Sequence, residues 1–316
     1  MENVCIAIDI GGTNLRLCLV DGAGRVLFRE RQPTDIDRGR DDFLGRLCSG
    51  IARLKRKGAA EGGRVVGIGV GVPGLISNEG LVYSSVNLRP LEGLNLRQQI
   101  SETMELPSFI VNDANAWAWG EKCFGAGKGM ASFLMLTLGT GVGSGLVLND
   151  RLWTGIDGVA GEFGHATVEP AGRPCRCGNH GCLEQYASAN AIVSATLEAL
   201  HKGGDSCLSA TSPMEITSAM IADAAAKGDA LARSMFDEAG RYLGIAAAAA
   251  ANMLNLEGII LGGGVAASFG LLVEAMRREV VARAFPIPAR RLRIIRSELG
   301  DDAGILGAAA MAMAGN

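Results

Sequence analysis

One short pattern occurs twice in this chain: an apolar strand, a tight turn rich in glycine and threonine, and a second strand. The strands of the two copies are Val4–Ile8 with Leu15–Val20, and Ala131–Leu138 with Gly145–Leu148. Glycine adopts the positive φ that tight hairpin turns require, so both turns are expected to reverse the chain. Since residue identity between the copies is otherwise slight, we interpret the repeat as duplicated architecture.

Apolar periodicity predicts the remaining elements and an α/β fold class. Further strands are predicted at Arg25–Arg31, Val65–Val72, Ser108–Val111, Gly258–Leu261 and Arg291–Ile295. Helices are predicted at Asp42–Lys57, Leu96–Met104, Ala114–Phe124, Ala189–Leu200, Glu215–Lys227, Leu231–Leu256, Leu271–Ala284 and Ala303–Ala314.

Composition excludes several classes of protein. The 316 residues suit two domains or one large α/β domain, and 48% of them are hydrophobic, which favours a globular fold. A net charge of −3 with 20% charged residues offers no basic face to nucleic acid. No targeting segment precedes Val4, and the alanine-rich stretch Ile245–Leu256 is too short to span a membrane. Cysteines scattered singly in apolar settings favour reduced thiols and a cytoplasmic location.

A cluster of metal-binding residue types lies in the middle of the chain. Cys175, Cys177 and Cys182 fall within eight residues, and His165 lies ten residues before the first of them. Three thiolates and one imidazole are the ligands of a closed, structural zinc site. His180 is an alternative fourth ligand, and three free buried thiols are the alternative to a metal site. The surrounding proline and glycine residues favour a zinc loop.

Two carboxylates accompany this set without being needed as ligands. Glu162 lies three residues before His165, and Glu184 lies two residues after Cys182. Because four softer ligands satisfy the zinc, Glu162 and Glu184 are expected to accept hydrogen bonds from a ligand rich in hydroxyl groups.

Three glycine turns are candidate phosphate sites. Backbone N–H groups in the turns at 11–13 and 139–141 would form an anion-binding nest, although each turn alone is also typical of an ordinary hairpin. Asp9, at the end of the first strand, is a candidate Mg²⁺ group acting through water. The turn at 262–264 follows a strand and precedes a helix, which is typical either of a plain loop or of a backbone approach to a planar or phosphorylated ligand.

Asn112 and Asp113 stand between a predicted strand and a predicted helix. An acidic residue there is either a helix N-cap or a general base that accepts the proton of an attacking hydroxyl. Local sequence leaves both open.

Taken together, these motifs resemble the ROK family, named for repressors, open reading frames and kinases, a sugar-kinase branch of the actin–hexokinase superfamily. The segment Asp9-Ile-Gly-Gly-Thr-Asn resembles the first phosphate motif, Leu138-Gly-Thr-Gly-Val-Gly-Ser-Gly the second, and Leu261-Gly-Gly-Gly-Val the adenosine motif. Asn112-Asp113 matches the pair that binds sugar and supplies the base. The segment from Glu162 to Glu184 matches the sugar helix and zinc loop, so the resemblance covers nearly the whole chain.

The resemblance implies a role for each motif residue. Asp113 would be the catalytic base. The implied sugar-binding residues are Gly74, Asn112, Asp113, Glu162, His165 and Glu184. The implied ATP- and Mg²⁺-binding residues are Asp9, Gly11, Gly12, Thr13, Asn14, Gly139, Thr140, Gly141, Gly262, Gly263 and Gly264. The implied zinc ligands are His165, Cys175, Cys177 and Cys182.

The resemblance also implies an actin/hexokinase-like, ribonuclease H-like fold with a ligand cleft between two domains. We expect a small domain over residues 1–116 plus 301–316 and a larger one over 117–300. The implied reaction is ATP-dependent phosphorylation of a hexose by a glucokinase-type enzyme, and the implied assembly is a homodimer. Fructose, mannose, allose, N-acetylglucosamine and N-acetylmannosamine remain open as substrates, as does polyphosphate as donor. A non-catalytic, sugar-responsive regulator is the alternative from another class. Regulators of this family carry a helix-turn-helix before the first motif, and here that motif begins at residue 9.

Overall fold

The computed structural model describes residues 2–315 as a mixed α/β chain. The strands among these residues are β1 Asn3–Ile10, β2 Asn14–Asp21, β3 Val26–Pro33, β4 Arg64–Val72, β5 Leu75–Ile76, β6 Val82–Ser84, β7 Ser108–Asn112, β8 Phe133–Leu138, β9 Val142–Leu148, β10 Arg151–Trp153, β11 Gly258–Gly262 and β12 Arg293–Arg296. The helices are α1 Arg40–Ala60, α2 Leu96–Met104, α3 Asp113–Phe124, α4 Glu184–Ala187, α5 Ala189–His201, α6 Ser218–Ala226, α7 Ala230–Leu254, α8 Phe269–Arg283, α9 Pro286–Arg291 and α10 Ala303–Ala314.

Internal contacts divide the chain into two compact units. Unit 1 consists of the residues up to 129, residues 145–161 and the residues from 298 onward. Unit 2 consists of residues 130–144 and 162–297. The predicted domain limits, 1–116 plus 301–316 and 117–300, stay a prediction.

The sheet of unit 1 has the strand order β3-β2-β1-β4-β7. Strands β1 and β2 form an antiparallel hairpin in which Asp9 lies opposite Arg16, and β4 and β7 continue the sheet parallel to β1. Because β1, β4 and β7 run in the same direction, their carboxyl ends meet at one edge. Residues at the ends of these strands are therefore neighbours although they are far apart in sequence.

Both faces of this sheet are covered by apolar side chains. Phe43, Leu47 and Ile51 of α1 are fully buried on one face, and Ile305 and Ala309 of α10 are buried on the other. A strand buried on both faces has a continuous apolar sequence, which explains the unbroken apolar run in β4.

The second sheet repeats this order as β10-β9-β8-β11-β12, and the division between the units falls within β9. Strand β11 is parallel to both β8 and β12, whereas β10 is antiparallel to β9. The predicted duplication of architecture is therefore confirmed by the strand order.

The prediction of elements missed β5, β6, β10 and α4, and α6 begins at Ser218 rather than at the predicted Glu215. Two further differences lie near the carboxyl end. The strand predicted at Arg291–Ile295 begins at Arg293, because Arg291 belongs to α9, a short helix that begins at Pro286 and was not predicted. Helix α7 ends at Leu254, before the predicted Leu256, since Asn255 takes the left-handed conformation that stops a helix.

Among residues 2–315, no helix is both long enough and apolar enough to span a membrane.

Candidate functional site

Two carboxylates meet at the edge of the first sheet. Asp9 lies at the end of β1, and Asp113 directly follows β7. Gly71 of β4 lies opposite both Asp9 and Val111 in the parallel register. A Cβ atom on Gly71 would lie 3.8 Å from Asp9 Oδ1 and 3.7 Å from Asp113 Cα. The sheet therefore brings together the predicted Mg²⁺ group and the predicted base.

Asn112, rather than Asp113, is the N-cap of helix α3. Its Oδ1 accepts a hydrogen bond from the backbone N–H of Asn115 at 3.1 Å, and its Nδ2 donates to the carbonyl of Gly74 at 3.0 Å. Asp113 is the first residue of the helix, and its Oδ1 accepts the N–H of Ala114 at 2.8 Å. The capping role considered for Asp113 thus belongs to its neighbour, and the half-buried carboxylate lies at the positive end of the α3 dipole.

The first glycine turn is closed by hydrogen bonds of its own. The N–H of Gly11 donates to the carbonyl of Asn14 at 2.8 Å, and the Thr34 hydroxyl donates to the carbonyl of Gly11 at 2.6 Å. Gly12 and Thr13 are exposed. Asn14 Oδ1 accepts a hydrogen bond from Arg31 at 3.0 Å, so this side chain stabilises the hairpin.

Arg16 holds Asp9 and was not among the predicted site residues. Its Nε donates to Asp9 Oδ2 at 2.9 Å, a second N–H group contacts the same oxygen, and Nη1 donates to the carbonyl of Asp301 at 2.8 Å. One guanidinium therefore fixes the carboxylate beside the turn and joins it to the segment before α10. The alternation of side chains along the hairpin was the available signal, because it puts residues 9 and 16 opposite each other.

The second glycine turn is in direct contact with Glu184. The backbone N–H of Val142 donates to Glu184 Oε2 at 3.0 Å, and a Cβ atom on Gly141 would overlap the same oxygen. A side chain at 141 would therefore displace this carboxylate from its hydrogen bond with Val142. A Cβ on Gly139 would meet nothing within 4 Å, so the other end of the turn has open space around it.

The third glycine turn lies against the second. Gly263 has a φ of +81°, and a Cβ there would lie 2.5 Å from the carbonyl oxygen of Leu138, the residue before the second turn. Next to Gly264 is a cavity of about 540 Å³, bounded by α6 and the start of α8. Unit 2 therefore combines two glycine turns and a cavity large enough for a nucleotide base and ribose.

The predicted zinc ligands come together. The ligand atoms of His165, Cys175, Cys177 and Cys182 all lie within 4.8 Å of one another. Cys177 Sγ and Cys182 Sγ are 3.7 Å apart, and Cys175 Sγ is 3.6 Å from His165 Nδ1. Tetrahedral zinc with bonds of about 2.3 Å to sulfur and 2.0 Å to nitrogen needs separations of about 3.8 Å and 3.6 Å between such atoms. The donor set therefore fits zinc in type, number and spacing.

The loop that carries the cysteines is shaped by backbone hydrogen bonds. The N–H of Cys175 donates to the carbonyl of Asn179 at 2.8 Å, and that of Gly181 donates to the carbonyl of Arg173 at 2.8 Å. The N–H of Asn179 lowers the pKa of the Cys177 thiol, which favours the thiolate that a metal binds. His180 is exposed and lies outside the ligand cluster, so the alternative fourth ligand is not the one assembled here.

Glu162, His165 and Glu184 influence one another electrostatically. Burial raises the pKa of Glu162, His165 opposes this shift, and Glu184 adds to it. Glu162 precedes a single 3₁₀ turn, Phe163–His165, and His165 is its last residue. The hydroxyl of Ser144 accepts the N–H of Phe163 at 2.9 Å and is a further residue that sequence reasoning missed.

The predicted residues thus form one group in each unit. Asp9, the first turn, Gly74, Asn112 and Asp113 lie in unit 1. The second and third turns, both glutamates and the metal ligands lie in unit 2. Their functional roles stay predictions at this point.

A family profile and the sequences of known proteins match nearly the whole chain. A sequence profile of the ROK family matches residues 5–314. The glucokinase of Halalkalibacterium halodurans is 36% identical over 313 residues, covering 96% of this chain and 92% of that enzyme. The xylose repressor of Caldicellulosiruptor bescii is 34% identical over 309 residues, covering 97% of this chain and 77% of the repressor.

A solved structure gives the same picture of the fold. The ROK family glucokinase of Streptomyces griseus, in complex with glucose and AMPPNP, superposes with a TM-score of 0.81 at 32% identity, covering 99% of this chain and 100% of that one. The chain therefore has the actin/hexokinase-like, ribonuclease H-like α/β fold, and the predicted fold class is confirmed.

Proposed function

The chain belongs to the ROK family, and we propose that it is an ATP-dependent hexose kinase that converts glucose to glucose 6-phosphate. The observation that carries this proposal is the position of Asp113. Asp113 directly follows β7 at the sheet edge where Asp9 also lies. Asn112, rather than Asp113, is the N-cap of α3. A carboxylate that is oriented by the N–H of Ala114 and lies beside a phosphate-type turn suits a general base in phosphoryl transfer.

The proposed reaction needs one base and an exact alignment of two substrates. Asp113 accepts the proton of the 6-hydroxyl while that oxygen forms a bond to the γ-phosphorus of ATP. The bond between the γ-phosphorus and the bridging oxygen breaks, and ADP leaves with those electrons. The proposed sugar contacts are Gly74, Asn112, Glu162, His165 and Glu184.

The surroundings of Glu162, His165 and Asn112 support these sugar contacts. Partial desolvation raises the pKa of Glu162, and a carboxylate that is partly shielded from water gains from a hydroxyl that donates to it. The Nδ1 of His165 faces Cys175, which leaves the opposite ring nitrogen to contact a ligand. Asn112 is already oriented by Gly74 and Asn115, so its remaining hydrogen-bonding capacity has a fixed direction.

Nucleotide binding is proposed at the three glycine turns. Gly11, Gly12, Thr13 and Asn14 form the first turn, Gly139, Thr140 and Gly141 the second, and Gly262, Gly263 and Gly264 the third. The exposed backbone at Gly12 and the open space at Gly139 and Gly264 leave room for phosphate oxygens and a base. Asp9, held by Arg16, is the proposed residue for Mg²⁺, which offsets phosphate charge when it is bound.

Zinc is proposed as a structural ion held by His165, Cys175, Cys177 and Cys182. The spacing of their donor atoms supports this assignment, and a closed four-ligand site leaves no position for catalysis. The ion would fix the loop that ends at Glu184 and the ring of His165.

The proposed sugar substrate is glucose. Glucose is favoured because the H. halodurans relative is a glucokinase and the S. griseus relative is a glucokinase solved with glucose. Fructose, mannose, allose and the two N-acetylhexosamines differ from glucose at positions where one hydrogen bond decides affinity. The similarity to a xylose repressor supports a second candidate, a sugar-responsive regulator without turnover.

A coupled ADP-release assay over these sugars separates the candidates. The kinase proposal predicts ATP-dependent ADP release with glucose and none with 6-deoxyglucose, which keeps the ring hydroxyls but lacks the acceptor. The regulator alternative predicts sugar binding, measured by calorimetry, with no ADP release from any sugar. Turnover with another hexose but not with glucose would support a kinase whose substrate is that other hexose.

The proposed assembly is a homodimer, and light scattering of the purified chain measures it directly.

A further inference from the structure

A cavity in unit 1 lies apart from the glycine turns and the metal loop. It has a volume of about 530 Å³ and follows β7, the last strand of its sheet. Its walls come from β7, the segment after β5, α2, α3, β10 and the end of α10. Of the residues assigned to the proposed reaction, Asn112 alone is part of its lining.

The charged residues that line this cavity are all positive. Arg97 and Arg151 line it, and its lining includes no aspartate or glutamate. Within residues 2–315, neither guanidinium has a carboxylate partner. Six other arginines of the same unit do have one: Arg16, Arg25, Arg29, Arg38, Arg46 and Arg53. The unit's other arginines without one among the described residues, Arg31, Arg40, Arg56, Arg64 and Arg89, do not line the cavity. In a chain with a net charge of −3, two unpaired arginines at one cavity point to an anionic ligand.

The remaining lining suits the organic part of such a ligand. Trp119 is half-buried, and the Arg97 guanidinium carbon lies 5.4 Å from the centre of the Phe109 ring, which orients the arginine. Thr154 donates to Asn78 Oδ1 at 2.9 Å, and Asn78 Nδ2 donates to the carbonyl of Ile156 at 3.2 Å. These bonds join the segments that follow β5 and β10, so this wall of the cavity has a defined shape.

We propose that this cavity binds a small phosphomonoester, with Arg97 and Arg151 contacting the phosphate dianion and Trp119 contacting the organic group. Guanidinium groups match phosphate oxygens in both charge and geometry. Because Asn112 lines the cavity, caps α3 and orients the Gly74 carbonyl, an occupant would influence the segment that presents Asp113. The site would then act as a sensor of phosphorylated metabolites.

Binding is measured without turnover, so this proposal and the proposed function fail independently. The full chain is titrated calorimetrically with glucose 6-phosphate, inorganic phosphate and glucose. The proteins compared are wild type, the Arg97→Gln/Arg151→Gln double variant, and Arg56→Gln as a matched control. Arg56 is an exposed arginine of α1, outside the cavity.

The proposal predicts that the double variant binds glucose 6-phosphate at least about tenfold more weakly, while Arg56→Gln and glucose binding are unchanged. If inorganic phosphate binds as tightly as glucose 6-phosphate, the phosphate group alone is the ligand. If inorganic phosphate binds more weakly, the organic group accounts for the difference in affinity. Equal affinity of wild type and double variant for both phosphates would overturn the proposal.

Hydrogen exchange locates the bound phosphomonoester independently of any variant. Protection by glucose 6-phosphate is predicted at residues 108–112 and 151–154. Protection confined to residues 139–141 and 162–184 would assign the binding to the proposed catalytic residues and would also overturn the proposal.

Discussion

The carboxylate of Glu184 accepts a hydrogen bond from the backbone N–H of Val142, with 3.0 Å between Oε2 and N. Glu184 opens the short helix that follows the last cysteine, and Val142 ends the second glycine turn. One hydrogen bond therefore joins the metal loop to the turn that we assign to phosphate. A side chain at 141 would displace the carboxylate from this position.

Glu184→Gln tests the role of this charge. Glutamine keeps an acceptor for Val142 but loses the negative charge that we assign to a sugar hydroxyl. We expect kcat/KM for glucose to fall about 10- to 100-fold, the usual cost of weakening one charged hydrogen bond in a transition state. Glu198→Gln is the matched control, because that exposed glutamate forms an ion pair with Lys202 outside the proposed site. Unchanged kcat/KM in Glu184→Gln would remove the residue from sugar binding.

Cys177→Ser tests the metal cluster. We expect metal analysis to find about one zinc per wild-type chain and none in the variant. Loss of the ion should lower Tm by more than about 4 °C, because the loop loses its cross-link. Cys207→Ser, which changes an exposed cysteine outside the cluster, should keep zinc and Tm. A zinc-free wild type with the same Tm after chelation would contradict the assignment.

Two glycines of β4 should differ sharply in their tolerance of alanine. A Cβ on Gly69 would overlap the carbonyl of Ala308, where α10 crosses the strand. A Cβ on Gly71 would meet only ordinary contacts at 3.6 Å or more. We expect Gly69→Ala to cost at least about 3 kcal/mol of unfolding free energy, and Gly71→Ala no more than about 1 kcal/mol. Urea unfolding measures both, and equal losses would contradict the packing of α10 on β4.

Asp229 should make stability depend on pH. The N–H of Ala232 donates to its carboxylate at the start of α7, which is the main reason that its pKa is lowered to about 2. A carboxyl group with a lowered folded-state pKa stabilises the fold above its unfolded pKa, and this contribution disappears as pH falls from about 4 to about 2.

Asp229→Ala should therefore cost about 1 kcal/mol at pH 7, and the difference from wild type should shrink below pH 4. Asp223→Ala, on the exposed surface of α6, is the control. Urea unfolding at several pH values supplies the comparison. A difference that stays constant from pH 7 to pH 3 would show that the carboxylate charge contributes nothing.

Much of the fold and of the site follows from local sequence. Apolar runs bounded by glycine identified the central strands, since a strand buried on both faces has no polar alternation. The spacing of Cys175, Cys177 and Cys182 predicted that these residues would lie together, because ligand type and spacing are themselves local. The ring of His165, rather than that of His180, lies with the three cysteines, and its role as a ligand stays a prediction.

The contacts that sequence reasoning missed are all long-range or depend on register. Arg16 belongs to the site only because the hairpin puts it opposite Asp9. Short elements such as β10 and α9 have too few residues for a periodic pattern. The capping of α3 was undecided because Asn112 and Asp113 are both good N-caps, and only the backbone conformation of Asn112 selects between them.

The most direct test of the central claim is the turnover of Asp113→Asn with glucose and ATP. The substitution keeps the size of the side chain and removes its ability to accept a proton. We expect kcat to fall about 100- to 10,000-fold while the glucose Kd, measured by calorimetry, stays within about threefold of wild type. Asp37→Asn, at an exposed position of unit 1, should keep full activity. A wild-type kcat in Asp113→Asn would contradict the assignment of Asp113 as the base, and with it the proposed mechanism.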